Sequence, residues 1–170
     1  PNPPKSEDIW QIEVNYDKLP DHIKIGDTVL LDNGLIQLNV VESSSEKIRC
    51  KVLDDAILKS RRHVNLPGIE TGLPSLTEKD RKDSLVGIEC EHDYFALSFT
   101  RDADSVDLFR SFLRDNGSDA QIIAKLEDQT GVGNIEEIIQ SADALMIARG
   151  DLGIECAFED LPIIQRNAVG

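Results

Sequence analysis

The 170-residue sequence has few positive charges, few cysteines and few aromatic residues. Lysines and arginines number 18 against 32 aspartates and glutamates, which gives a formal net charge of −14. A nucleic-acid-binding protein needs a basic surface, so this charge argues against a nucleic-acid partner. The net charge does not exclude a phosphorylated small ligand, because a local cluster of cations outweighs a distant acidic surface.

Long apolar runs and familiar catalytic motifs are also missing. No stretch approaches the roughly 20 apolar residues of a membrane helix, and no signal-peptide pattern opens the sequence. The cysteines, Cys50, Cys90 and Cys156, show no metal-binding spacing and predict reduced thiols. The sequence contains neither a phosphate-binding P-loop nor a zinc-protease motif, and no nucleophile elbow. We therefore expect a cytoplasmic protein with no membrane partner.

The part of the chain before Pro67 predicts short β-strands. Trp10, Ile12 and Val14 alternate with polar residues, which favours a strand. Two apolar runs, Thr28–Asp32 and Leu35–Val41, flank an Asn-Gly pair that is typical of a hairpin turn. A further alternating run covers residues 47–53 after a serine-rich turn. The pattern predicts a small meander or barrel.

After Pro67 the pattern changes to alternating helices and strands. Thr77 and Asp80 form a capping-box pattern that starts a helix, and Asn134 could cap another. Strands are predicted at 93–99, 121–126 and 144–148, and helices on the residues between and after them. The roughly 25-residue period of the strands is typical of parallel βα units.

Such units form (β/α)8 barrels, whose active sites lie at the carboxyl ends of the strands. A full barrel takes about 250 residues, so the sheet is either small and open or part of a larger barrel. The chain starts Pro-Asn-Pro-Pro without methionine and stops soon after a helix-like run. We interpret it as an excerpt from a longer protein.

Charged residues end two of the predicted strands. Lys125 and Glu127 are two apart, so both face the same side of a strand, and Asp151 follows the next strand. Mg²⁺ commonly takes one or two protein carboxylates and completes its shell with water and substrate oxygens. The trio suits metal-assisted chemistry on an anionic small molecule; the alternative is ordinary surface charge at strand ends.

The segment Arg-Gly-Asp-Leu-Gly at 149–153 is the second candidate for binding. Its glycines let the backbone approach a ligand, and a helical turn starting at Asp151 would attract an anion. The alternative is an ordinary glycine-rich loop.

Six segments, taken in order, resemble the pyruvate kinase family. The signature Ile-Ile-Ser-Lys-Ile-Glu-Asn has its counterpart in Ile-Ile-Ala-Lys-Leu-Glu-Asp at 122–128, and Met-Val-Ala-Arg-Gly-Asp-Leu-Gly in the segment at 146–153. The segments at 30–35, 64–68, 76–80 and 96–99 are also similar to that family. Asp128 departs from the family's usual asparagine, and Thr130 and residues 61–63 depart as well.

The resemblance implies an α/β fold: a partial (β/α)8 TIM-barrel segment preceded by a small all-β lid. Residues 1–68 would be part of the lid, called the B domain, and residues 69–170 part of the barrel, called the A domain. The implied reaction is phosphoryl transfer from phosphoenolpyruvate to ADP in glycolysis. The alternative is a Mg²⁺-dependent lyase or aldolase acting on pyruvate-like keto acids.

The resemblance also implies roles for individual residues. Lys125 would be the catalytic lysine, and Glu127 and Asp151 would hold Mg²⁺ or Mn²⁺. Substrate would contact Lys125 and the residues Arg149, Gly150, Asp151, Ser98 and Phe99. Asp32 and Arg62 would lie near the nucleotide. The full-length protein would require K⁺ and form a homotetramer, and the excerpt alone would be inactive.

Overall fold

A four-stranded antiparallel sheet forms from the first part of the chain. The computed structural model describes residues 9–69 and 71–169. After a one-turn helix, α1 (Leu19–His22), the sheet has the order β3-β2-β1-β4. Its strands are β1 (Thr28–Leu31), β2 (Ile36–Ser43), β3 (Ile48–Val52) and β4 (Val64–Asn65).

The predicted hairpin between β1 and β2 is confirmed. Asp32, Asn33 and Gly34 all have positive φ, at 51°, 57° and 82°. Asparagine, aspartate and glycine tolerate this conformation better than other residues. Alternate side chains of the two strands then point into a small apolar core, whose buried members are Ile23, Val29, Leu31, Ile36, Leu38 and Val40.

The strand predicted at Trp10, Ile12 and Val14 is wrong. Residues 9–14 have no regular secondary structure, and the Trp10 and Ile12 side chains are 64% and 50% exposed. Alternation makes a strand only where a neighbour completes its hydrogen bonds. None of the four described strands of this sheet pairs with the segment.

The second sheet is parallel, as the 25-residue period predicts. It has the order β5-β6-β7 and an α/β architecture with helices between the strands. The strands are β5 (Tyr94–Leu97), β6 (Gln121–Leu126) and β7 (Ala144–Ile147). The helices are α2 (Glu78–Glu89), α3 (Ala103–Asp115), α4 (Gln129–Gly133), α5 (Ile135–Ser141), α6 (Arg149–Glu155) and α7 (Leu161–Val169).

Alternate side chains of β6 point to opposite faces of the parallel sheet. Ile122, Ala124 and Leu126 are completely buried in the second core, where they meet Phe109 and Ile138. Lys125 belongs to the opposite face because successive strand residues point to opposite sides. The apolar residues of β6 therefore direct its lysine away from the helices.

The helix ends agree with the sequence in part. Thr77 and Asp80 form the predicted capping box at the start of α2. Asn134 precedes α5, but its side chain makes no capping hydrogen bond and donates instead to the Arg101 carbonyl at 2.8 Å. The segment at 149–153 lies within α6 rather than in a glycine-rich loop.

The antiparallel sheet contacts the second part of the chain at α6. The Asn65 amide on β4 donates to Glu155 Oε1 at 3.3 Å, and the hairpin residue Gly34 lies next to the Ile154 side chain. Within the described residues, no helix combines the length and apolarity needed to span a bilayer.

Candidate active site

The carboxyl ends of the three parallel strands lie side by side. In the register of the sheet Leu97 pairs with Ala124, and Lys125 pairs with Met146. Residues that follow β5, β6 and β7 therefore reach one edge. A cleft of about 1230 Å³ opens there, and its lining includes Lys125, Glu127, Asp151, Ser98, Phe99 and Arg62.

Lys125 and Glu127 form the centre of this edge. The Lys125 ammonium lies 2.6 Å from Glu127 Oε1 and donates a second hydrogen bond to Ser98 Oγ at 3.1 Å. The predicted same-side placement of Lys125 and Glu127 is what makes the contact possible. Because donor and acceptor are both charged, this is among the stronger classes of hydrogen bond.

The carboxylate of Glu127 is buried, with the residue only 2% exposed. Its second oxygen, Oε2, accepts the Phe99 N–H at 2.6 Å. Phe99 has a φ of +48°, which is uncommon for a residue with a side chain. The left-handed turn aims the amide at the carboxylate, so both oxygens of Glu127 are hydrogen-bonded and oriented.

Asp151 joins this cleft, whereas Arg149 and Gly150 line a second one. All three lie in the first turn of α6, which begins at Arg149 rather than at Asp151. The second cavity, of about 910 Å³, lies between Arg149, Gly150 and residues of the following segment, among them Phe158 and Arg166. Of these three residues, Asp151 is the one that lines the cleft with Lys125.

The two predicted nucleotide residues contact each other. Arg62 Nη1 lies 3.4 Å from Asp32 Oδ1, and the Arg62 and Asp32 side chains are 39% and 20% exposed. Arg62 lines the cleft, and Asp32 is not among the described residues that do so. Asp32 therefore orients Arg62 from the hairpin turn.

The donor set fits a hard divalent cation with few protein ligands. Glu127 and Asp151 supply carboxylate oxygens, which Mg²⁺ and Mn²⁺ favour. In residues 9–69 and 71–169 no group of three or more His, Cys, Asp or Glu residues could hold a metal ion. The arrangement suits an ion that takes two carboxylates and completes its shell with water and substrate.

Sequence reasoning missed several polar residues beside the site. Asp128 caps α4 through the Gly131 N–H at 2.9 Å and pairs with Arg101 at 2.7 Å. The spacing of Asp128 and Gly131 is that of a helix cap, so this contact had a sequence signal. Glu155 is buried near Asn65 and Gln129, and no pattern in the sequence marks it.

Burial raises the pKa of the Glu155 carboxyl above its usual range. The hydrogen bond from the Asn65 amide acts in the opposite direction. The nearby carboxylates of Asp128 and Asp151 add to the increase, and Arg101 offsets part of it. Asp128, Asp151 and Glu155 all line the cleft, so this part of its lining is rich in negative charge.

Comparisons with known proteins place these residues in a family context. The family model "Pyruvate kinase, barrel domain" matches residues 4–170. The chain is 45% identical over 159 residues to a pyruvate kinase of Geobacillus stearothermophilus, covering 92% of this chain and 27% of that protein. It is 38% identical over 158 residues to plastidial pyruvate kinase 2 of Arabidopsis thaliana, covering 93% and 27%.

A solved structure gives the same result. The crystal structure of a pyruvate kinase from Cryptosporidium parvum superposes with a TM-score of 0.84 at 35% identity, over 90% of this chain and 33% of that one. The chain thus spans about a quarter to a third of the length of these relatives. Its parallel sheet corresponds to part of a barrel, with a small β region before it.

Proposed function

The chain belongs to the pyruvate kinase family, and from that premise we propose that the full-length protein transfers a phosphoryl group from phosphoenolpyruvate to ADP, giving pyruvate and ATP. The observation that carries the proposal is that Lys125, Glu127 and Asp151 line one cleft at the carboxyl ends of the parallel strands, where Lys125 donates a hydrogen bond to Glu127. The comparisons give no support to the lyase or aldolase alternative.

Phosphoryl transfer requires positioning and charge neutralisation more than covalent chemistry. Lys125 places its ammonium at the cleft, where it neutralises charge on the phosphoryl group and on the enolate that forms. Ser98 and Glu127 hold this ammonium in place through the two hydrogen bonds described. A preorganised cation of this kind needs no rearrangement during the reaction.

Glu127 and Asp151 would hold Mg²⁺ or Mn²⁺. When bound, such an ion neutralises phosphate charge and orients substrate oxygens. The N–H groups of Arg149, Gly150 and Asp151, in the first turn of α6, have no intrahelical acceptor. They would receive the substrate carboxylate, and Phe99 would line the pocket beside it.

The remaining assignments concern the nucleotide side and the whole protein. Residues 1–68 would form part of a lid that closes over ADP, with Arg62 and Asp32 near the nucleotide, and residues 69–170 part of the barrel. Residues 1–8 lie outside the described part of the chain. We further propose a cytoplasmic homotetramer that requires K⁺ and binds no nucleic acid or membrane.

A coupled assay of pyruvate formation tests the reaction. The full-length protein is supplied with phosphoenolpyruvate, ADP, Mg²⁺ and K⁺, and each component is omitted in turn. We expect turnover that depends on both phosphoenolpyruvate and ADP. ADP-independent release of a product from a keto acid would support a lyase and contradict the proposal.

A further inference from the structure

Arg101 and Asp128 form an ion pair that has no part in the roles assigned so far. Arg101 Nε lies 2.7 Å from Asp128 Oδ2, and the Arg101 and Asp128 side chains are 25% and 11% exposed. The other oxygen of Asp128 accepts the Gly131 N–H and caps α4. Asp128 thus ties the segment after β5 to the helix after β6.

Backbone contacts attach the same segment, residues 98–101, to the end of β6. The Thr100 N–H donates to the Lys125 carbonyl at 3.2 Å, and Asn134 donates to the Arg101 carbonyl at 2.8 Å. A Cβ added to Gly131 would lie 2.5 Å from the Thr100 carbonyl oxygen, so these two backbones are closely packed.

Phe99 lies in the middle of this segment in an unfavourable conformation. Its φ of +48° is uncommon for a residue with a side chain, and such a conformation persists only where surrounding contacts enforce it. That conformation directs the Phe99 N–H to Glu127 Oε2 at 2.6 Å. Arg101, two residues later, supplies the charge-assisted contact that holds the segment down.

We propose that the Arg101–Asp128 ion pair is a positioning device: it holds Phe99 in this turn and so fixes the orientation of the Glu127 carboxylate toward the divalent ion. The inference rests on the proposed function, because it takes Glu127 as a metal ligand. Partners that orient metal ligands commonly contribute about 10- to 100-fold to metal affinity. Arg101 and Asp128 act one contact further away, so a smaller effect is expected.

The test measures the dissociation constant of Mn²⁺ for the full-length protein without substrate, by electron paramagnetic resonance of the free ion. Arg101→Gln and Asp128→Ala are each expected to raise this constant about 5- to 10-fold, below or at the lower end of the range for direct partners. The double variant should bind Mn²⁺ no more weakly than the single variant with the lower affinity, because both changes break the same contact.

The direction in which the Mn²⁺ dissociation constant changes in each single variant distinguishes positioning from simple electrostatics. Removing a positive charge near a cation site would tighten Mn²⁺ binding, and removing a negative charge would weaken it. Positioning instead predicts weaker binding in both variants. Opposite signs, or an unchanged constant in Arg101→Gln, would overturn the inference.

Arg110 and Asp143 offer a matched control at the amino ends of the parallel strands. Arg110 Nη1 lies 2.9 Å from Asp143 Oδ2, and the Asp143 carboxylate also accepts a backbone N–H, that of Ile122, at 2.7 Å. Asp143→Ala thus loses the same kinds of contact far from the cleft. It should leave the Mn²⁺ constant unchanged; an increase as large as that of Asp128→Ala would show a general structural effect and overturn the inference.

Asp128→Asn keeps an oxygen for the α4 cap and serves if Asp128→Ala does not fold. It should weaken Mn²⁺ binding measurably, and wild-type affinity would contradict the proposal. Pyruvate formation is assayed in parallel. If the wild type turns over and the variants have unchanged Mn²⁺ dissociation constants, this inference alone is wrong. If the wild type binds Mn²⁺ but makes no pyruvate, the proposed function is wrong.

Discussion

At the scale of single residues, Glu127 links Lys125 and Phe99 in the candidate site. It is buried, and its two oxygens accept hydrogen bonds from the Lys125 ammonium and the Phe99 amide. A buried carboxylate without such partners is costly. Lys125 therefore has two effects: it balances the charge of Glu127 in the metal-free protein and presents a cation to the cleft.

Lys125→Met is expected to abolish pyruvate formation by the full-length protein. It should also lower the free energy of unfolding without metal by about 1–3 kcal/mol, because Glu127 stays buried without its cation. Coupled assays and urea unfolding measure the two effects. Lys79→Met is the control, since its ammonium pairs with Asp83 on an exposed helix face. Wild-type turnover in Lys125→Met would refute the assigned role.

Glu127→Gln is expected to weaken Mn²⁺ binding by at least about tenfold. The amide keeps one oxygen for the Phe99 N–H but removes the negative charge that a divalent ion requires. Titration of Mn²⁺ against the full-length protein measures the effect. An unchanged constant would place the metal elsewhere.

Glu155 gives a pH dependence with a definite sign. Burial raises its pKa in the folded state, so the folded state holds this proton to a higher pH than the unfolded state does. Stability is therefore lost as pH rises from the unfolded-state pKa of about 4.3 through the higher pKa of the folded state. Glu155→Gln removes this loss and keeps an acceptor for Asn65.

We expect Glu155→Gln to be more stable than the wild type at pH 7, with the difference vanishing below about pH 4. Urea unfolding of the 170-residue chain between pH 4 and 8 provides the measurement. Glu159→Gln, at an exposed position four residues away, is the control and should change little. A difference that grows at acid pH would contradict the assignment.

At the scale of elements, local chemistry determined what the sequence could predict. The capping box of α2 and the hairpin at 32–34 each depend on neighbours within a few residues, and both are confirmed. The predicted strand at 10–14 does not form, because a strand depends on a distant partner for its hydrogen bonds. Asn134 failed as a cap because the distant Arg101 carbonyl competes for its side chain.

The helix α4 offers a comparison of two glycines. A Cβ on Gly131 would meet the Thr100 carbonyl oxygen at 2.5 Å, whereas one on Gly133 would meet nothing within 4 Å. Gly131→Ala should lower the free energy of unfolding by about 1–3 kcal/mol. Gly133→Ala should leave it unchanged or raise it by about 0.4–1 kcal/mol. Urea unfolding measures both, and equal effects would show that α4 does not pack on Thr100.

At the scale of the whole molecule, the parallel sheet and the charged residues at the carboxyl ends of its strands were predictable from the strand period and from charges at strand ends. The arrangement of the α6 turn was not. Whether Arg149 lines the same cleft as Asp151 depends on where the chain goes after the strand, and in the structure Arg149 lines another cavity. The division into lid and barrel at residue 68 stays a prediction.

The 170-residue chain alone is expected to make no pyruvate. In the part of the chain that the structure describes, the parallel sheet has three strands, against about eight βα units in a full barrel, and β5 and β7 form the edges of that sheet. Unpaired strand edges promote association, so sedimentation should detect species larger than a monomer. Robust turnover by this chain would show that the residues within it suffice for catalysis.

A crystal structure with Mn²⁺, located by its anomalous scattering, tests the shared metal site most directly. We expect one strong peak coordinated by carboxylate oxygens of both Glu127 and Asp151, with the Lys125 ammonium facing the same cleft. Glu127 and Asp151 side chains that share no ion, with the Mn²⁺ peak elsewhere, would contradict it.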